Sequence, residues 1–242
     1  MPVNRVGSRR AMRGEAGAEG DHTLVENMPV LVDMRVMELL CSRLCHELAS
    51  PVGAINNGIE MIEEFDQSML PEALPLIADS ARLAAARLKF YRMAYGLAGT
   101  RSIESLDEIK SLVEALLLDG RSTLRWPEGV VVAALEDGWG KLLLNLIPLA
   151  QEALPRGGLL DIEFGAAGRG LEMAVTACGE GARYQEECLD ALAADAAVDD
   201  LTPRTVHAYF VAGLAHRLNS RIDVDAGNAD RITFSFKPLA VG

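Results

Sequence analysis

The sequence predicts an α+β fold in which an N-terminal helical hairpin precedes an α/β sandwich. Between residues 26 and 100, apolar side chains recur at intervals of three and four, as they do along amphipathic helices. Residues 101–242 instead alternate helical patterns with pairs of short strands, which indicates helices packed on a sheet. Residues 1–25 are rich in Gly, Ala and Arg without an apolar period, so we expect a disordered tail there.

Each helix of the predicted hairpin carries one apolar seam. The seam of the first helix comprises Met34, Met37, Cys41, Leu44, Leu48, Val52, Ile55, Ile59 and Ile62. After the break "QSMLPEALP", the second helix repeats the pattern through Ile77, Ala81, Ala84, Leu88, Tyr91 and Tyr95. Because a lone hairpin cannot cover both seams, we expect two copies to pair into a homodimeric four-helix bundle.

Beyond residue 100, the patterns predict three helices and five strands. The helical segments are "SLDEIKSLVEALLLDG", "GWGKLLLNLIPLAQEAL" and "TPRTVHAYFVAGLAHRLNS". "STLRW" is typical of a strand, "GGLLDIEFGAAG" and "RGLEMAVTACG" form one strand hairpin, and "RIDVDAGNADRITFSFKP" forms another. A layer of helices on one face of this sheet would bury the apolar residues of both.

The composition argues against several function classes. The formal charge of -12 and the pI near 4.8 leave no basic face for nucleic acid. The chain has no run of about 18 apolar residues, and charges occupy its N-terminus, so we expect a cytoplasmic protein without a membrane span. The cysteines (Cys41, Cys45, Cys178 and Cys188) lack metal-ligand spacing, which predicts reduced, mostly buried thiols and no metal site.

The stretch "CHELASPVGAINNGIEMIEE", residues 45–64, places His46 in a helix that also carries Pro51 and Gly53. At about 100° per residue, the seam spans about 80°, whereas His46 lies about 200° from Leu44. The imidazole therefore points away from the core, where a lone histidine is often an inconsequential surface residue. However, Gly53 on the same side costs up to about 1 kcal/mol relative to alanine, which favours a surface kept small for an approaching molecule.

The outer face of this helix supplies the candidate site. An exposed neutral imidazole is a competent nucleophile toward a phosphoryl group, and Glu47 is placed to accept a hydrogen bond from a ring nitrogen. Pro51 removes the hydrogen bond to the Glu47 carbonyl and predicts a bend one turn after His46. The predicted docking residues for another molecule are Leu39, Ser42, Arg43, Ser50, Gly53 and Asn57, with Leu39 an apolar side chain stranded on the exposed side.

The motif "CHELASP" resembles the H-box of sensor histidine kinases, whose histidine is phosphorylated on a dimeric helical bundle. From about residue 30 to the C-terminus, the chain more specifically resembles the ChpT-type histidine phosphotransferases of alphaproteobacteria. This resemblance implies that His46 is the phosphoacceptor. It also implies that the receiver domain of a hybrid histidine kinase is the donor, that cell-cycle response regulators are the acceptors, and that the receiver holds the Mg²⁺.

By the same resemblance, three parts of the kinase ATP site are missing. Kinases hold Mg²⁺ through the second Asn in a pattern like N-L-L-x-N-A. This chain has "NLIPLA" there, with Leu149 in place of that Asn, and leucine has no oxygen ligand for the cation. Their adenine-binding Asp is replaced by Ala177 in "ACGEGAR", and residues 205–208, "TVHA", lack the glycines that wrap the triphosphate. We therefore expect no ATP binding, and the same holds if this domain was never a nucleotide binder.

The predicted function is that of a histidine phosphotransferase in a multistep phosphorelay, with His46 carrying the phosphoryl group between receiver aspartates. Two alternatives remain open, namely an active sensor-type kinase or phosphatase and a non-catalytic dimeric scaffold. His207 and His216 lie on the last predicted helix without a carboxylate or cysteine at ligand spacing. We expect both to be ordinary helix residues.

Overall fold

The computed structural model of the chain describes residues 33–97, 105–129, 138–167, 170–193 and 195–238. The tail predicted over residues 1–25 lies outside these ranges, as does the beginning of the predicted domain 26–100. The boundary predicted near residue 100 falls between two described segments. The division into domains 26–100 and 101–242 therefore stays a prediction.

Two long antiparallel helices form the predicted hairpin. They are α1 (Met34–Phe65) and α2 (Leu70–Tyr95), joined by a short 3-10 turn at Asp66–Met69. Helix α2 begins inside the predicted break because Pro71 falls in its first turn, where a backbone N–H would have no helical partner. The connection is therefore shorter than the break "QSMLPEALP" suggested.

The C-terminal part contains a five-stranded sheet and four helices within the described residues. The helices are α3 (Leu106–Leu116), α4 (Trp139–Glu152), α5 (Glu186–Ala191) and α6 (Val206–Arg217). The strands are β1 (Ser122–Arg125), β2 (Gly158–Ala167), β3 (Gly170–Cys178), β4 (Ser220–Asn228) and β5 (Arg231–Pro238). Their order is β1-β2-β3-β5-β4, with β1 parallel to β2 and every other pair antiparallel. The predicted helices and strands are confirmed, and the short α5 was not foreseen.

Helix α4 lies at the centre of the core, and nearly all of its side chains are buried. On the sheet, inward side chains such as Leu160 and Phe234 are fully buried, whereas Glu163 on the alternate face is exposed. The helices therefore cover one face of the sheet, as the α+β prediction requires. Phe90 and Met93 of α2 belong to the same core cluster, so the base of the hairpin is packed into the C-terminal part.

The predicted seam face of the hairpin exposes apolar side chains. Val52 and Ile59 of α1 are 48% and 43% exposed, and Leu88 of α2 is 60% exposed. Cys41 and Cys45 are exposed as well, against the expectation of mostly buried thiols, because the described part of the chain leaves this face uncovered. None of the described helices has the length and apolar content that a membrane span requires.

Candidate functional site

His46 of α1 lines a cleft between this helix and the C-terminal part of the chain. Its side chain is exposed, as the helical geometry predicted. The cleft has a volume of about 590 Å³, and its α1 side is lined by Ser42, Arg43, His46 and Glu47. Its other side is lined by Glu152, Pro155, Arg183, Tyr184, Gln185, Cys188, Pro203 and Arg204. The outer side of α1 is thus one wall of a cleft, whereas the sequence suggested an open surface.

The far wall of this cleft carries two guanidinium groups. The backbone N–H of Arg183 donates to the carbonyl of Ala153 at the end of α4 (3.0 Å), which fixes the loop after β3. Arg204, which precedes α6, donates from Nη1 to Oε1 of Gln185 (2.8 Å). Within the described ranges, neither arginine has a carboxylate at ion-pair distance. The wall opposite His46 therefore favours an anion.

Glu152, the last residue of α4, forms an ion pair with Arg43 of α1 and also faces His207 of α6. Its Oε1 lies 3.4 Å from Nδ1 of His207. Burial raises the pKa of Glu152, but the hydrogen bond and charge of His207 and the charge of Arg43 outweigh it, so this pKa lies below its usual value. Burial lowers the pKa of Arg43, yet Glu152, together with Tyr95 and Glu47, outweighs this effect and leaves the pKa above its usual value. The ionised pair therefore ties α1 to α4 one turn before His46.

His207 is fully buried, which corrects the expectation that it is an ordinary helix residue. Asn145 donates from Nδ2 to the carbonyls of Ala94 (2.7 Å) and Lys141 (2.8 Å), which fixes the orientation of its amide. Its Oδ1, an acceptor, lies 3.3 Å from Nε2 of His207, so Nε2 carries a proton. A hydrogen bond between Nδ1 and Glu152 needs a further proton on one of these two groups. Burial lowers the pKa of His207, and the Glu152 carboxylate opposes that shift.

Helix α1 continues through Pro51 because α2 supplies the missing hydrogen-bond donor. Nη1 of Arg87 donates to the Glu47 carbonyl (2.5 Å). This carbonyl has no donor within its own helix, because Pro51 has no backbone N–H. The same Nη1 lies 3.7 Å from Oε2 of Glu47. Glu47 thus links α1 to α2, and its predicted role as the hydrogen-bond partner of the His46 ring stays a prediction.

The predicted docking residues divide into two groups. Ser42, Ser50 and Asn57 are exposed, and of these three only Ser42 lines the cleft. The expectation that Leu39 is stranded on the exposed side is wrong, because the C-terminal part packs against the first turns of α1 and half-buries it. Arg43 is also committed to a partner in its own chain, since its side chain is 17% exposed and paired with Glu152. Both residues hold α1 to the C-terminal part.

Two glycines of α1 lie in different surroundings. A Cβ atom on Gly58 would lie 2.6 Å from Cγ1 of Ile77, so close packing with α2 explains this glycine. A Cβ atom on Gly53 would meet no atom within 4 Å. Packing within the described chain therefore does not account for Gly53, which agrees with the hypothesis that another molecule approaches there.

The two positions assigned to the lost ATP site are core residues. Leu149 of α4 is fully buried, and Ala177 of β3 is buried between Leu160 and Ile232 on the neighbouring strands. Neither side chain lines the cleft, and neither offers an oxygen ligand or a hydrogen-bond acceptor. Within the described residues, no group of three His, Cys, Asp or Glu side chains is arranged to hold a metal ion.

Sequence reasoning missed the C-terminal side of the site. Glu152 is the only carboxylate of a largely apolar helix, and this charge was a usable signal. Arg183 ends the stretch "ACGEGAR", which the sequence did identify, although only as the remnant of a nucleotide loop. The sequence offered no signal for His207, whose partners lie on another helix.

Comparisons with known proteins agree with this architecture. A family model for the histidine phosphotransferase C-terminal domain matches residues 106–230. Protein phosphotransferase ChpT of Brucella abortus (strain 2308) is 33% identical over 198 residues, which cover 81% of this chain and 92% of that protein. A solved structure of a bacterial phosphotransferase, at 32% identity, superposes with a TM-score of 0.74 over 86% of this chain and 98% of that chain.

A more distant solved structure, the histidine kinase AdeS of Acinetobacter baumannii, is 13% identical with a TM-score of 0.42, over 80% of this chain and 96% of that chain. At this TM-score the likeness supports no conclusion about fold or function. The closer matches confirm the predicted family, fold class and phosphotransferase activity. Because the family model covers more than half of the chain and the ChpT relative most of it, the chain belongs to the histidine phosphotransferase family.

Proposed function

We propose that His46 accepts the phosphoryl group from an aspartyl phosphate on one receiver domain and passes it to an aspartate on another. The observation that carries this proposal is the exposed imidazole in a cleft whose opposite wall presents Arg183 and Arg204. By the family resemblance, the donor is the receiver domain of a hybrid histidine kinase. The acceptors are cell-cycle response regulators.

Transfer consists of two in-line displacements at phosphorus. In the first, the unprotonated ring nitrogen of His46 donates its electron pair to phosphorus, while the P–O bond to the receiver aspartate breaks and the carboxylate leaves with the bonding pair. The other ring nitrogen keeps its proton. In the second, the carboxylate of another receiver attacks phosphorus and the imidazole leaves. Position and charge neutralisation supply most of the catalysis in such reactions.

We propose that this chain holds neither ATP nor Mg²⁺ during transfer. Mg²⁺ is expected in the acidic pocket of the receiver, because carboxylate oxygens suit this hard cation. Burial of Leu149 and Ala177 in the core supports this assignment, since the kinase contacts to Mg²⁺ and adenine would have to come from these positions. The phosphoryl group therefore comes from the receiver.

The proposed docking surface comprises the exposed stripe of α1 and the far wall of the cleft. Ser42, Ser50, Gly53 and Asn57 form the stripe, and the open space over Gly53 leaves room for a partner backbone. Contacts with Arg183 and other residues of the C-terminal wall would select among receivers. Such an interface should be small and weak, because one receiver must leave before the next binds.

We further propose that the protein acts as a homodimer in the cytoplasm. The exposed apolar residues Val52 and Ile59 of α1 are one heptad apart, and Leu74 and Leu88 of α2 are two heptads apart. This spacing fits the seam of a coiled-coil bundle. A second copy of the chain would cover these side chains and complete a four-helix bundle.

Replacement of His46 by alanine tests the transfer proposal. We expect the wild-type chain to acquire label from a receiver phosphorylated with ³²P and to pass that label to a second receiver. His46→Ala should acquire none, because the attacking nitrogen is gone. The matched control is His216→Ala, since His216 is also an exposed helical histidine. Transfer through His46→Ala at the wild-type rate would contradict the proposal.

The same assay separates the two alternative functions. A sensor-type kinase would acquire label from Mg²⁺-ATP without any receiver, whereas we expect none. A non-catalytic scaffold would bind receivers equally well before and after His46→Ala and would never carry acid-labile label. A phosphohistidine on the wild-type chain therefore excludes the scaffold alternative.

A further inference from the structure

The Arg43–Glu152 ion pair stands between two cavities. Both residues line the cleft at His46, and both also line a second cavity of about 260 Å³ that reaches Arg87 and Ser122. Elsewhere, α1 and α4 barely approach each other. The ion pair is therefore the main connection between α1 and α4 at the level of His46.

On the side away from Arg43, a chain of buried polar groups on three helices fixes the position of Glu152. His207 of α6 faces Oε1 of Glu152, and Asn145 of α4 faces the other side of the His207 ring. Asn145 in turn donates to the carbonyl of Ala94 on α2. His207 and Asn145 are fully buried, so neither can move without leaving a buried polar group unpaired. The anchor point for Arg43 is thus fixed by the C-terminal core.

We propose that Glu152 is a positioning residue for phosphotransfer, holding the Arg43 turn of α1, and with it His46, at a fixed distance from the arginine wall. The inference rests on the proposed role of His46. Arg43 precedes His46 by three residues, less than one helical turn, so the two move together. A displacement of about 1 Å at a reacting group costs up to about 100-fold in rate.

This proposal predicts which kinetic quantity changes. Glu152 lines the same cleft, but its Oε1 is engaged by Arg43 and His207 of its own chain, so its loss should change the transfer rate much more than receiver binding. In single-turnover transfer from a phosphorylated receiver, Glu152→Met should lower the maximal rate about tenfold. The receiver concentration that gives half of this rate should stay within twofold of the wild-type value.

A double-mutant cycle tests whether Glu152 acts through Arg43. Arg43→Met should slow transfer about tenfold, and Arg43→Met/Glu152→Met should also be about tenfold slower, where independent effects would give about 100-fold. Glu152→Gln should keep at least a third of the wild-type rate, because the amide oxygen can still accept from Arg43. The control Asp79→Asn removes a carboxylate from an exposed ion pair with Arg82 and should transfer normally.

Three results would overturn the inference. They are multiplicative effects in the cycle, a wild-type rate in Glu152→Met, and a change confined to the half-saturating receiver concentration. If either single variant fails to fold, the double variant, which removes both charges, decides alone, and a wild-type rate in it refutes the positioning role. Failure of the wild-type chain itself to acquire label would refute the proposed function instead, so the two failures are distinguishable.

Discussion

The two ends of α1 are held in different ways. Before His46, the side chains of Val36, Leu39 and Arg43 face the C-terminal part, through the core and through the ion pair with Glu152. After Pro51, the helix packs on α2 and leaves Val52 exposed. His46 lies where the fixed end meets the open end. One helix can therefore fix an exposed imidazole at its packed end while its other end keeps an open face.

The open end gives the largest expected effect. Ile59→Glu would place a charge in the proposed seam, and its desolvation cost should turn the proposed dimer into a monomer at micromolar concentration. Sedimentation equilibrium measures the change directly. Lys89→Glu makes a matched control, because this exposed residue lies next to Leu88 but outside the heptad spacing of the seam. A dimer that survives Ile59→Glu would show that the chain pairs through another surface.

A smaller effect separates the two glycines of the open end. Gly58→Ala should lower the free energy of unfolding by about 1–2 kcal/mol. The new methyl group would meet Cγ1 of Ile77, so more of that side chain than its terminal methyl group would have to move. Gly53→Ala should instead raise it by up to about 1 kcal/mol, because alanine favours the helix and meets open space. Urea unfolding measures both. Equal changes would mean that the packing of α1 on α2 does not distinguish the two positions.

These contrasts also show what the sequence could predict. Apolar spacing in α1 gave the exposure of His46, because a helix fixes the direction of each side chain. The same helical geometry placed Leu39 on the exposed side. It gives the direction of a side chain but does not show which distant segment of the chain packs against that side. Glu152 lies 109 residues beyond Arg43, and no local pattern links them. The fold and the exposure of His46 were therefore predictable, whereas the wall of the cleft was not.

The smallest expected effect is that of acidification on the free energy of unfolding. It concerns the end of α1 that is fixed by Glu152. The pKa of Glu152 in the folded chain lies below its usual value, chiefly because His207 and Arg43 outweigh the effect of burial. A depressed pKa means that Glu152 stabilises the fold above its unfolded value, about 4.3, and that this contribution disappears as the pH falls through the folded pKa. Glu152→Gln cannot take up this proton.

The measurement is the difference in unfolding free energy between the wild-type chain and Glu152→Gln, followed from pH 7 to pH 3. Groups remote from position 152 cancel in this difference. His207 does not cancel, because its pKa depends on the Glu152 carboxylate, so the difference should be constant only above about pH 6.5, and it should shrink below about pH 4 as Glu152 takes up its proton. Asp79→Asn removes an exposed carboxylate and should show little such trend, because surface ion pairs contribute little. A difference that stays constant to pH 3 would mean that hydrogen bonding without charge holds the fixed end of α1.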